Sequence, residues 1–144
     1  MFKLNTLSKQ RLQTCDCRLQ ELVYEIIKHR DCCVLAGYLG RSEYHYATKE
    51  LTDAPQFPNS PHNIKKKGKF CSRAVHILPR DKKRTITAGS IDDRNKIYIF
   101  AGFVLGVASQ LGINVMWEGE LKNHDFLINH RDLAHYELAE ETSR

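Results

Sequence analysis

A chain of 144 residues with 42% hydrophobic content is long enough to bury a core without covalent staples, and residues 1–144 read as a single domain. The formal net charge of +5 favours polyanionic surroundings, such as nucleic acid, acidic lipid or an anionic wall polymer. Cys15, Cys17, Cys32, Cys33 and Cys71 form no C-x-x-C pair, which argues against a cysteine-built zinc module, and their odd number fits reduced thiols.

The opening stretch MFKLNTLSKQRLQ has basic residues but no apolar segment behind them, so no signal peptide is expected and synthesis in the cytoplasm is. CRLQELVYEIIKHR (17–30) places Leu19, Leu22, Val23, Ile26 and Ile27 on one helical stripe, with Thr14 or Asp16 as cap. CCVLAGY (32–38) reads as a short apolar strand ending at glycine, and RSEYHYATKEL (41–51) as a weaker helix. Residues 52–72 are rich in Pro, Asn, Ser, Lys and Gly and read as a long loop. The basic runs KKKGK (65–69) and RDKKR (80–84) are both expected in solvated loops.

RAVHILP (73–79) predicts a strand stopped by Pro79, with Val75 and Ile77 toward the core and His76 on the opposite face. Residues 91–112 predict a central helix capped by Asp92 and ended by Gly112. Its segment 97–112 is too short for a bilayer span and reads as buried. Gly102 and Gly106 suggest a closely packed neighbour. INVMW (113–117) and AHYEL (134–138) complete the strands. Helices and short strands without regular βαβ alternation predict an α+β fold, with helices packed on one side of a small, mostly antiparallel sheet.

Three of the seven histidines stand in contexts that suit chemistry: His62 in NSPHN, His76 mid-strand and His135 in the last strand. Three imidazoles from adjacent strands or strand edges can bind zinc and leave a fourth position open. A carboxylate must then take a proton from the activated water, and Asp132 lies three residues before His135. That separation requires Asp132 to sit in the turn entering the strand.

These segments carry a resemblance. The chain resembles the zinc D-Ala-D-Ala carboxypeptidase and dipeptidase family, and is most similar to its bacteriophage endolysin branch, which cleaves the L-alanyl-D-glutamate bond of peptidoglycan. The resemblance spans roughly residues 10–140 and rests on FPNSPHN (57–63), AVHILP (74–79), the helix with its following strand to Trp117, and DLAHYEL (132–138). It implies a Zn2+ site on the sheet face held by His62, His76 and His135, with Asp132 as general base. It implies further a stem-peptide hydrolase acting at the bacterial cell wall after another protein has permeabilised the membrane.

The sequence departs from the family in several places. His76 stands where the family has aspartate, and the interval from His62 to His76 is lengthened by IKKKGKF. The family arginine that steadies the oxyanion or a substrate carboxylate matches Arg41 only with a two-residue insertion. Glu118–Gly119–Glu120 replaces a glycine-glycine-aspartate stretch. The expected partner is peptidoglycan, with no membrane span, no nucleic acid and a monomeric state. The rival readings are an inactive cell-wall-binding homologue and a basic nucleic-acid-binding protein.

Overall fold

The computed structural model describes residues 1–39, 60–121 and 133–139. Its first helix, α1 (Thr6–Leu12), is one that the hydrophobic pattern does not announce, because only Ser8 and Leu12 of its seven residues are buried. Asn5 caps it by accepting from the Ser8 amide at 2.7 Å. α2 (Cys17–Ile27) buries the stripe expected of it, and of the two candidate caps Asp16 takes the role. The Asp16 carboxylate accepts from the Arg18 amide and from two guanidinium nitrogens, all at 2.9–3.0 Å. The fully buried Leu19, Leu22, Val23 and Ile26 each contribute roughly 1.5–3 kcal/mol relative to exposure.

The strands are β1 (Cys32–Ala36), β4 (Ala74–Asp81), β6 (Val115–Trp117) and β7 (His135–Leu138), in the antiparallel order β1-β4-β7-β6. Two hairpins complete the set among the described residues. β2 (Lys65–Lys66) pairs with β3 (Lys69–Phe70), and β5 (Arg84–Thr85) pairs with the far end of β4. The architecture is α+β, as expected.

Two basic segments read as loops are therefore hairpins. KKKGK turns at Lys67 and Gly68 and RDKKR at Lys82 and Lys83, all four with positive φ. Pro79 does not stop its strand. Its carbonyl accepts from Ile86 at 2.9 Å and the next amide, Arg80, donates to Asp31 at 3.0 Å, so neighbouring residues carry the pairing past the missing N–H.

α3 (Ile91–Leu111) is capped by Ser90, whose hydroxyl accepts from the Asp93 amide at 3.1 Å, so the cap lies two residues before Asp92. Gly112, at φ 71°, closes it in the left-handed conformation. The helix buries Ile97, Phe100, Ala101 and Val104 against the core formed with α2, Val75 and Ile77. It is not buried all round, since Tyr98 and Ile99 are exposed. Among the described residues nothing lies within 4 Å of a Cβ placed on Gly102 or Gly106, so no close neighbour explains them. A short helix, α4 (Glu118–Leu121), follows β6. The weaker helix expected over 41–51 lies outside the described residues.

Candidate metal centre

The sheet places two of the three histidines by register. His76 pairs directly with His135 across β4 and β7, so their side chains share one face, opposite the core-facing Val75 and Ile77. On the other side of β4, a bulge between Val34 and Ala36 brings the end of β1 opposite His76.

His62 arrives from a different kind of structure. NSPHN forms a 3-10 turn over Pro61–Asn63, with a capping box in which Ser60 Oγ accepts from the His62 amide and Asn63 Oδ1 accepts from the Ser60 amide. Proline at the first turn position costs no hydrogen bond. The turn is stapled to the segment after β1: the Leu39 amide donates to the His62 carbonyl at 2.9 Å, and Asn63 Nδ2 donates to the Leu39 carbonyl. That segment is braced by α1, because Thr14 Oγ1 accepts from the Tyr38 amide and donates to the Arg11 carbonyl. Gly37 is required there: a Cβ would collide with the Arg11 carbonyl and Thr14 Oγ1.

The three rings converge. His76 Nε2 lies 2.9 Å from His135 Nδ1 and 3.1 Å from His62 Nε2, and His62 Nε2 lies 3.4 Å from His135 Nδ1. His62 and His76 are buried, and His135 is half-buried.

Outer partners decide which nitrogens carry lone pairs toward the centre. His62 Nδ1 is 2.7 Å from the Gly37 carbonyl, which only accepts, so Nδ1 bears the proton and Nε2 faces inward with its lone pair. Burial first, and then the nearby His135 ring, pushes His62 down to about 3, which keeps it neutral. His135 Nε2 lies 3.8 Å from Glu137 Oε1. At that separation the carboxylate acts through its charge rather than through a hydrogen bond, favouring a proton on Nε2 and leaving Nδ1 free to coordinate. The contact with the His135 ring holds Glu137 below the usual carboxylate range. Carbonyl–histidine and carboxylate–histidine pairs of this kind orient metal ligands and fix their tautomers. The donor set therefore fits a divalent cation that accepts nitrogen ligands, such as Zn2+.

Glu118, His135 and Glu137 form a second group whose donor atoms approach within 4.8 Å, overlapping the first at His135. The alternation of β7 already put Glu137 on the side of His135, but its role emerges only once His135 Nδ1 is seen to face the other rings. The contribution of the Gly37 carbonyl carries no side-chain signal in the sequence.

The approach to β7 is held by Trp117, whose Nε1 donates to the Leu133 carbonyl at 2.7 Å and whose ring stacks on Tyr136. Asp132, the residue immediately before Leu133, lies outside the described residues, as does Arg41. All five cysteines are free thiols. Burial pushes Cys15 and Cys32 up to about 12, which makes them unreactive.

Among solved structures, the fold matches the L-Ala D-Glu endopeptidase ChiX of Serratia marcescens, with a TM-score of 0.66, 18% sequence identity and coverage of 95% of this chain and 90% of that one. The likeness is one of fold. No family model matches the chain, and no curated protein matches it in sequence.

Proposed function

We propose that the protein is a zinc-dependent hydrolase of peptidoglycan stem peptides, cutting the L-alanyl-D-glutamate bond, with residues 1–144 acting as one monomeric peptidase domain. The observation that carries this reading is the convergence of inner ring nitrogens of His62, His76 and His135 within 3.4 Å of one another, with the Gly37 carbonyl on the outer nitrogen of His62 and Glu137 beside that of His135. The fold shared with an L-Ala D-Glu endopeptidase supports the choice of substrate. The bacteriophage-endolysin resemblance supplies the setting, in which the protein reaches the wall after the membrane is opened.

In this reading His62 Nε2, His76 Nε2 and His135 Nδ1 would hold the ion, which when bound would supply a Lewis acid for the scissile carbonyl and acidify water. His76 in place of a carboxylate leaves the ligand set one negative charge poorer, so a bound cation there would keep more of its positive charge. Asp132 takes the proton from the attacking water and returns it to the departing amine. Arg41 steadies the negative charge that develops on the carbonyl oxygen.

The test is digestion of purified peptidoglycan by the full chain, with added zinc and with a chelator, reading new amino termini by mass spectrometry. Zinc-dependent appearance of D-glutamate amino termini is expected. Asp132→Asn should reduce the rate by on the order of 10²–10⁴-fold. Folded, zinc-loaded protein that releases nothing would instead assign the chain to a wall-binding role without catalysis.

A further inference from the structure

At the opposite end of β4 from His76 lies a surface whose composition the fold does not require. Phe2, Ile99 and Phe103 line a groove of about 970 Å³, flanked by Arg30, Arg80, Lys82, Lys83 and Lys96. Phe2 is 46% exposed and Ile99 61%, which is costly for side chains that could bury elsewhere. Among the described residues two carboxylates, Asp31 and Asp81, stand against the five cations, and Asp81 is engaged by Lys96 at 3.2 Å. The Arg30 guanidinium lies over the Phe103 ring, 4.9 Å from its centroid, so apolar and cationic groups interleave across this face.

The β4–β5 turn is a second, independent sign. Lys82 and Lys83 occupy both central positions with φ of 49° and 68°, a geometry that Asn-Gly adopts readily and that side-chain-bearing residues resist. Local preference therefore opposes lysine at both places, and both are exposed. Charge at the tip is being kept at the expense of backbone comfort.

We propose that this face docks on an anionic lipid bilayer, with Phe2 and Ile99 entering the acyl boundary and the surrounding lysines and arginines meeting the phosphate headgroups. Charge and apolarity together select this occupant. A second copy of the chain would press five cations against five. A phosphodiester polymer or nucleic acid would satisfy the cations yet leave Phe2 and Ile99 in water. Among the described residues no helix is long and apolar enough to cross a membrane, so the attachment is to the surface. It stands independently of the peptidase reading.

The experiment is co-sedimentation of the full chain with vesicles of phosphatidylcholine alone or of an equal mixture with phosphatidylglycerol, at low and at high salt. Binding to the mixed vesicles, weak binding to phosphatidylcholine and release by salt are expected. The double substitution Lys82→Asn with Lys83→Gly removes two charges while giving the turn its preferred residues, so a loss of binding in protein that keeps its Tm reports the charges. It should weaken partitioning by on the order of tenfold to thirtyfold. Ile99→Ser, at an exposed position, should weaken it further in a salt-insensitive way. Equal binding to both vesicle types, binding to neither, or a double variant that partitions like the parent would each overturn the proposal. So would a dimer, seen in sedimentation equilibrium, that Ile99→Ser dissolves.

Discussion

At its Ala74–His76 end, β4 is paired on both sides and offers a buried imidazole to two others; at its Pro79–Asp81 end, the same strand runs into an exposed hairpin tipped by two lysines. The first end suppresses charge. Burial keeps His62 neutral, and outer partners settle which nitrogen of His62 and of His135 faces inward. The second end displays charge in solvent and tolerates an uncomfortable turn to do so. Preorganisation of a few neutral donors suits tight, geometric recognition of one ion. Exposed cations around an apolar floor suit loose, salt-sensitive attachment to an extended surface. Substitutions at the two ends should therefore fail in different ways.

The largest effect is expected at His76. His76→Ala removes one of three converging nitrogens and should weaken zinc binding by more than the roughly 100-fold that an outer partner can command. His76→Asp supplies an oxygen donor in its place and should retain the metal. Metal content after dialysis, measured by elemental mass spectrometry, separates the two. Equal zinc in both variants would remove His76 from the site.

A smaller loss is expected one residue beyond Tyr136. Glu137→Gln keeps the shape but removes the charge that favours a proton on His135 Nε2, and zinc affinity should fall about tenfold in a competition titration. Unchanged affinity would mean that Glu137 does not orient the ring. The position tests function with little risk to the fold, because the side chain sits on the half-buried face, away from the core residues Tyr136 and Leu138.

How much of this was legible in the sequence differs between the two ends for physical reasons. The histidine end was readable in part: the alternation in AHYEL puts His135 and Glu137 on one face and that in RAVHILP sets His76 opposite Val75 and Ile77, whereas the capping box Ser60-Pro61-His62-Asn63 lay hidden in a stretch read as a long loop. The distances that make these pieces one site depend on the β4–β7 register and on the staple between Leu39 and His62, which no local pattern specifies. The other end was read less well. An apolar run such as 97–112 looks buried on every side, but periodicity cannot say how many partners a helix will have, and among the described residues none covers Ile99. Lysine pairs resemble loops because lysine is rare in tight hairpin turns, and α1 was invisible because a seven-residue helix burying two side chains leaves almost no periodic trace.

The smallest expected effect runs in the stabilising direction and belongs to the hairpin. With positive φ at both Lys82 and Lys83, the double substitution Lys82→Asn with Lys83→Gly relieves a steric cost at two residues while glycine adds some freedom to the unfolded chain. A net gain of about 1 kcal/mol is expected, or roughly 2–4 °C in Tm for a chain of this size. The hydrogen bond from Arg80 to the residue-83 carbonyl uses backbone and survives the change. A protein that becomes more heat-stable while losing its hold on anionic vesicles would show the turn lysines to be kept for binding rather than folding. A drop in Tm would show instead that the lysines stabilise the hairpin, and the contrast between the two ends of β4 would lose its energetic basis.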